Sequence, residues 1–296
     1  MMLTDDERRA LSWCEELTSL HTKREEAIIS AHERIRSAMA TTPERIPPLD
    51  CYRWALSHVG ARAMDVMING SAEPAIVPFV DLCNHTAEPN AAVRFEANEF
   101  VLTAIRTVES GEQLCISYGD KSNAELIFGY GFAMAVNPSD TLILRVPPAP
   151  TDDPQLNMQR FAMAPRGSME ADGTALLAPL YWNRDHWNAS DHGERRRVVL
   201  LQPELLFVLN LASARSVPDL FRAAAISDAD KLERPAWEIL QLAVREAMKA
   251  LPSQKFMPSD TARAALQARC ALLEGTASLA SSKINELSSG ANDNFS

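Results

Sequence analysis

Val77-Pro-Phe-Val-Asp-Leu-Cys-Asn-His-Thr-Ala-Glu-Pro-Asn90 is the stretch on which the reading of this chain turns. A short apolar run stops at a polar pair, Asn84-His85, and turn residues follow at Pro89-Asn90. Taken alone this is turn chemistry, because Asn bonds its own backbone and Pro presets φ. Two further segments change its weight. Gly111-Glu-Gln-Leu-Cys-Ile-Ser-Tyr-Gly119 comes next, then Ser122-Asn-Ala-Glu-Leu-Ile-Phe-Gly-Tyr-Gly-Phe132. One short motif has a high false-positive risk; three in order are specific.

The flanking sequence predicts short strands around these segments. Ala92–Glu96 and Glu99–Arg106 read as strands with a turn near Ala97-Asn98, and Gln113–Ser117 as another short strand. Asn123–Tyr130 reads as a short helix, with Asn123 and Glu125 as capping and packing groups, and Thr141–Val146 as a strand. Toward the N-terminus, residues 4–40 read as helix, with Thr4 as N-cap before Asp5, Asp6 and Glu7. Prolines 43, 47 and 48 break it. A second helix is expected from Leu49 to about Ile68, with Trp54, Val59 and Met67 on its inner face. Pro147–Pro150 marks a boundary, and an irregular stretch to about residue 200 carries Trp182 and Trp187. Helices are expected over roughly 203–213, 217–225, 232–250 and 258–284, with Pro218 and Pro235 in first turns and a frayed tail from Ser288.

Composition bounds the class. At 296 residues the chain holds one large or two ordinary domains, and 46% hydrophobic with 23% charged residues implies a packed core. The net charge of −10 argues against a general nucleic-acid binder, which needs a basic face. The one basic cluster, Glu194-Arg-Arg-Arg197, reads as a solvated helix face. Five cysteines, widely spaced and without a C-x-x-C pair, imply no common zinc site and a reducing compartment. No apolar run reaches the roughly 20 residues of a membrane span, and the start of the chain has no signal-peptide pattern. The expectation is an intracellular, cytoplasmic or nuclear monomer. No G-x-S-x-G or H-E-x-x-H supports a hydrolase.

The three motifs resemble the C-terminal half of a SET-domain protein methyltransferase. The Asn-Ala-Glu-Leu to Tyr-Gly-Phe element resembles the RuBisCO large-subunit methyltransferase and actin-histidine methyltransferase branch, and Tyr52-Arg-Trp-Ala-Leu-Ser-His-Val-Gly-Ala-Arg62 is similar to that branch's helix. The resemblance implies an α+β fold. Residues 1–50 would be part of a helical insert, 51–150 a partial SET domain of short strands, and 151–296 an all-α substrate-binding domain. The Gly-x-Gly strands that open such a domain are not found before residue 70, so its N-terminal part is expected to be missing. Two functions then stand: a methyltransferase that this loss would weaken or inactivate, or a non-catalytic protein-interaction module.

The resemblance also implies roles. The cofactor would be S-adenosylmethionine and the partner a protein or peptide, lysine-directed by family precedent, with histidine open. Tyr118 would stand at the transferring methyl, in a positioning and polar role. Arg62, Asp81, Asn84, His85, Tyr130, Gly131 and Phe132 would meet the cofactor. Met64, Val80 and Ile116 would line the acceptor channel. Arg62 equally fits an exposed helix residue, and Asp81 a loop-bonding one. Trp54 fits core better than site. Gly119 and Gly131 suit close backbone approach. The chemistry is consistent with these types. A lysine is neutral in only about one molecule in 10³ at pH 7, and an aromatic, apolar channel favours the neutral amine.

Overall fold

The computed structural model describes residues 3–68, 71–96, 99–170, 174–182, 199–223, 226, 228–253, 255 and 257–289. The chain divides into two compact units, Met1–Asn137 with Met257–Arg263, and Pro138–Phe256 with Ala264–Ser296.

The first unit opens with α1 (Asp5–Ala10), whose N-cap Thr4 and Glu7 form a reciprocal capping box. The chain then turns at Leu11–Cys14 before α2 (Glu15–Ala38), so the single helix expected over 4–40 is two. Leu3, Leu11, Cys14 and Leu17, on either side of the break and in it, are all buried. α3 runs Leu49–Arg62 and stops there; Met64–Ile68 is strand β1, paired antiparallel with β2 (Ser71–Ala75). The expected inner face of the second helix is overturned. Trp54 is 59% exposed, Val59 46% and Met67 58%. Trp54 instead stacks on His58, with ring centroids 4.2 Å apart. A helical spacing of large apolar residues cannot distinguish an inward face from an outward one when polar Ser57 supplies the buried position.

The motif segments form two small ladders. β3 (Asn84–His85) pairs parallel with β6 (Cys115–Ile116), and β4 (Ala91–Glu96) pairs antiparallel with β5 (Glu99–Ala104). The β4–β5 hairpin is as read; its turn at Ala97-Asn98 lies outside the described residues. α4 (Asn123–Tyr130) begins at Ser122, whose hydroxyl accepts from the Glu125 N–H while the Glu125 carboxylate takes the Ser122 N–H. It ends on Gly131 in the left-handed region at φ 80°, which glycine adopts without a Cβ clash. Gly119 is also left-handed, at φ 94°, yet a Cβ there would meet no heavy atom within 4 Å. Its requirement is therefore conformational, not the close approach expected.

The second unit holds β7 (Thr141–Val146), α5 (Pro154–Met163), β8 (Leu176–Trp182), β9 (Val199–Leu200), α6 (Pro203–Ser213), α7 (Val217–Ala223), α8 (Arg234–Ala250) and most of α9 (Asp260–Ser289). The four C-terminal helices are those expected. The sheet β7-β8-β9 is not, and it replaces part of the irregular stretch. β8 alternates buried and half-buried residues, Leu176, Ala178, Leu180 and Trp182 pointing inward. Pro179 in its middle obscured that period in the sequence; among the described residues β9 pairs only with Tyr181 and Trp182, so β8 has an unpaired side at Pro179, where a missing N–H is tolerated. Trp187, Glu194–Arg197 and residues 290–296 lie outside the described residues. The apolar core packs β7 and β8 against α6 and α8, around Leu144, Leu180, Leu209 and Trp237. Among the described residues no helix is long and apolar enough to cross a membrane.

Leu209 has no exposed surface. Leu209→Ala should therefore cost about 2–5 kcal/mol in a denaturant melt, whereas truncation of the exposed Met158 should change stability by about 0.5 kcal/mol or less.

Candidate active site

A cavity of about 550 Å³ lies in the first unit, within the usual range of small-molecule sites. The end of α3 supplies Arg62 and β1 supplies Met64 and Asp65. The loop before β3 gives Val80, Asp81 and Cys83, and β6 with the residues after it gives Ile116, Tyr118 and Lys121. Tyr130 closes α4. The β4–β5 hairpin adds Phe95 and Phe100, whose rings pack 4.9 Å apart.

Parallel pairing of β3 with β6 brings the first two motifs together. Tyr118 is then held twice. Its backbone N–H donates to His85 Nδ1 at 3.0 Å, and its phenol donates to the Cys83 carbonyl at 2.6 Å. Since Nδ1 accepts, the neutral His85 ring carries its proton on Nε2. The Tyr118 ring packs against Tyr130 (4.7 Å), His85 (5.2 Å) and Phe132 (6.4 Å). Burial raises the Tyr118 phenol above its usual value, and Tyr130 adds to that. Tyr118 is thus a protonated donor at neutral pH, not a ready base. Burial pushes the His85 imidazole below its ordinary value, and the Lys121 charge pushes the same way.

Arg62 and Asp81, which also line the cavity, form an ion pair at 3.0 Å. Asp81 is placed by the turn that precedes it: its N–H donates to the Val77 carbonyl at 3.0 Å, and Phe79 sits at φ 69°. That backbone is uncommon for a bulky residue and leaves the Phe79 ring 83% exposed.

The structure brings Arg62, Met64, Val80, Asp81, Ile116, Tyr118 and Tyr130 to one cavity wall or another. It does not bring Asn84, His85, Gly131 or Phe132 there. Asn84 is exposed on β3; His85 and Phe132 stand behind Tyr118 in the ring cluster; Gly131 is the C-cap of α4. Sequence reasoning missed Asp65, Lys121, Phe95 and Phe100. The Phe95–Phe100 pair was recoverable from the hairpin register across a two-residue turn. Asp65 was hidden because its segment read as helix.

The missed residue that matters most for assembly is Asn90, 2% exposed. Its amide donates to the Gln113 carbonyl (2.8 Å) and to Glu112 Oε1 (3.0 Å), and its Oδ1 accepts the Cys115 N–H (2.8 Å). Glu112 also takes a hydrogen bond from Arg106 at 2.5 Å; that bond is the main reason its carboxyl is held down to about 2. Asn90 and Glu112 together fix the approach to β6, and hence Tyr118. Among the described residues no group of three His, Cys, Asp or Glu side chains is placed to hold a metal ion.

Residues 7–119 match the family model of the SET domain. An actin-histidine N-methyltransferase of Xenopus tropicalis is 32% identical over 100 residues, 33% of this chain and 17% of that protein. A ribosomal lysine N-methyltransferase of Schizosaccharomyces pombe is 30% identical over 105 residues, 33% of this chain and 19% of that protein. The match thus spans under a fifth of these relatives' length. Among solved structures, the SET domain of LSMT bound to lysine and AdoHcy aligns at a TM-score of 0.55 and 19% identity, covering 96% of this chain and 68% of that one. Rubisco LSMT bound to AdoMet aligns at 0.50 and 21%, covering 92% and 64%. Because the SET match already starts at residue 7, it lends no support to the expectation that the N-terminal part of the domain is missing.

His85 gives a pH prediction. The folded chain binds the His85 proton less well than the unfolded chain, whose imidazole titrates near 6.5. Stability should therefore fall as pH drops below about 6.5, where the unfolded state takes up more protons. His21, also depressed chiefly by burial, adds a slope of the same sign. His85→Asn keeps an acceptor for the Tyr118 N–H, and thermal melts between pH 7.5 and 5 should show a shallower decline than the parent. An unchanged slope would mean that His85 is not linked to folding.

By sequence over residues 7–119 and by fold over nearly its whole length, the chain is similar to SET-domain methyltransferases of the LSMT kind.

Proposed function

We propose that this chain is an S-adenosylmethionine-dependent protein N-methyltransferase with a lysine side chain as acceptor. The observation that carries the reading is a cavity whose lining includes Tyr118, doubly held, together with the Arg62–Asp81 pair and aromatic and apolar side chains.

The residues fit the cofactor. Arg62 offers a guanidinium fork to an amino-acid carboxylate, and Asp81 a carboxylate to its ammonium. Phe95 and Phe100 offer faces to a planar base. When bound, S-adenosylmethionine supplies an electrophilic methyl on a sulfonium. Asn84, His85, Gly131 and Phe132 support this site from behind its wall: His85 and Phe132 back the Tyr118 ring, and β3 carries Asn84 beside them. Met64, Val80 and Ile116 supply apolar lining on the acceptor side.

The chain's own task is positional. Methyl transfer needs no metal or covalent enzyme intermediate, so rate comes from orientation and exclusion of water. The Tyr118 hydroxyl, bonded to the Cys83 carbonyl, presents oxygen lone pairs at a fixed point. An apolar channel favours the neutral amine over the ammonium. Three relatives' names support the reading: an actin-histidine N-methyltransferase, a ribosomal lysine N-methyltransferase, and an LSMT crystallised with lysine and AdoHcy.

Isothermal calorimetry with S-adenosylmethionine and S-adenosylhomocysteine should give saturable binding to the parent chain. Arg62→Ala should weaken it about tenfold or more by removing the carboxylate partner. Tyr118→Phe should lower turnover on a lysine peptide about 10²-fold with little change in cofactor affinity. A folded sample that binds neither compound sinks the reading.

A further inference from the structure

The cavity carries more charge than the cofactor would use. Arg62 is engaged by Asp81 at 3.0 Å, and Arg94 lies 3.9 Å from Glu96. Lys121 is on the same wall as Tyr118. Asp65 is different: it lines the cavity from β1, and among the described residues its carboxylate makes no hydrogen bond or ion pair. The same cavity is lined by Tyr118 and Tyr130, whose rings pack 4.7 Å from each other. The nearness of Asp65 to Tyr130 shows in the phenol, raised by burial first and by the Asp65 charge second. A carboxylate beside aromatic faces is the chemistry that recognises an organic cation.

We infer that Asp65 is the specificity-determining residue that draws a cationic, lysine-type acceptor to the cavity, against the aromatic wall of Tyr118 and Tyr130. The inference rests on reading the cavity as a methyl-acceptor site and deepens it. At pH 8 a lysine side chain is a full cation, whereas an imidazole with an ordinary value near 6.5 is almost wholly neutral. Asp65 therefore favours lysine over histidine, a choice the sequence left open. It acts on capture of the resting ammonium and has no part in removing the proton. An exposed carboxylate is screened by water, so the effect is modest: a few-fold from the ion pair and a similar factor from the rings.

The test uses the full chain at pH 8 with three probes, Nα-acetyl-lysine amide, Nα-acetyl-norleucine amide and Nα-acetyl-histidine amide, titrated by NMR. The parent should bind the lysine probe about fivefold or more tightly than the other two. Asp65→Asn should erase that preference and Asp65→Glu should largely restore it. Calorimetric affinity for S-adenosylhomocysteine and the melting curve should stay unchanged in both variants. Equal lysine affinity in parent and Asp65→Asn, or no preference in the parent, overturns the inference while cofactor binding leaves the methyltransferase reading standing. An Asp65-dependent lysine preference in a chain that binds no S-adenosylhomocysteine upholds the cation site and removes the methyltransferase reading. Failure of the parent with every compound overturns both.

Discussion

The parallel pairing of Asn84-His85 with Cys115-Ile116 is the constraint on which the rest of the first unit depends. Two residues of ladder are little by themselves. They persist because Asn90 ties the incoming chain to Gln113, Glu112 and Cys115 from within, at a position closed to water. A buried amide that finds its partners stabilises modestly, but leaving those partners unmet costs about 1–3 kcal/mol each. The ladder then delivers Tyr118 to His85 and to the Cys83 carbonyl. Every wall of the cavity on that side follows.

The lining supplied by α3 and β1 obeys a different logic. α3 ends at Arg62 because the chain becomes extended at Ala63 and enters β1. That one change from helix to strand points Arg62 at Asp81 and sets Met64 and Asp65 along the cavity. Continued helix to residue 68 would have carried those side chains round the axis, about 100° per residue. The ion pair, the proposed cation site and the apolar lining thus share one cause.

The second unit is built on burial, not on polar ties. β7 and β8 lie on α6 and α8 over a core of Leu, Val and Trp side chains. Arg160 is fully buried against it, and its guanidinium donates to the carbonyls of Ala149 and Ala214 and to the side chain of Asn157. Burial lowers its affinity for a proton, yet guanidinium stays charged even so. Ala214 caps α6, so the Arg160 charge sits where the helix carbonyls end, a favourable place for a cation.

Much of this was legible in the sequence where local chemistry is decisive. The helix over Asn123–Tyr130 and the hairpin of Ala92–Glu96 with Glu99–Arg106 were readable, because caps and alternation act over a few residues; that Ser122 and not Asn123 is the N-cap, and that Gly131 is the left-handed C-cap, only the structure showed. The motifs around Asn84-His85, Tyr118 and Tyr130-Gly-Phe132 likewise told which family the chain resembles. Tertiary structure alone decided what those residues touch. Asn84 and His85, read as cavity residues, stand off it, while Asp65 lines it, and Trp54 lies outside where a core was expected. Spacing along a chain records a periodicity but not which face is covered. That choice is made by contacts between residues 19 to 35 apart, such as Arg62 with Asp81 and Cys83 with Tyr118, which no local pattern encodes.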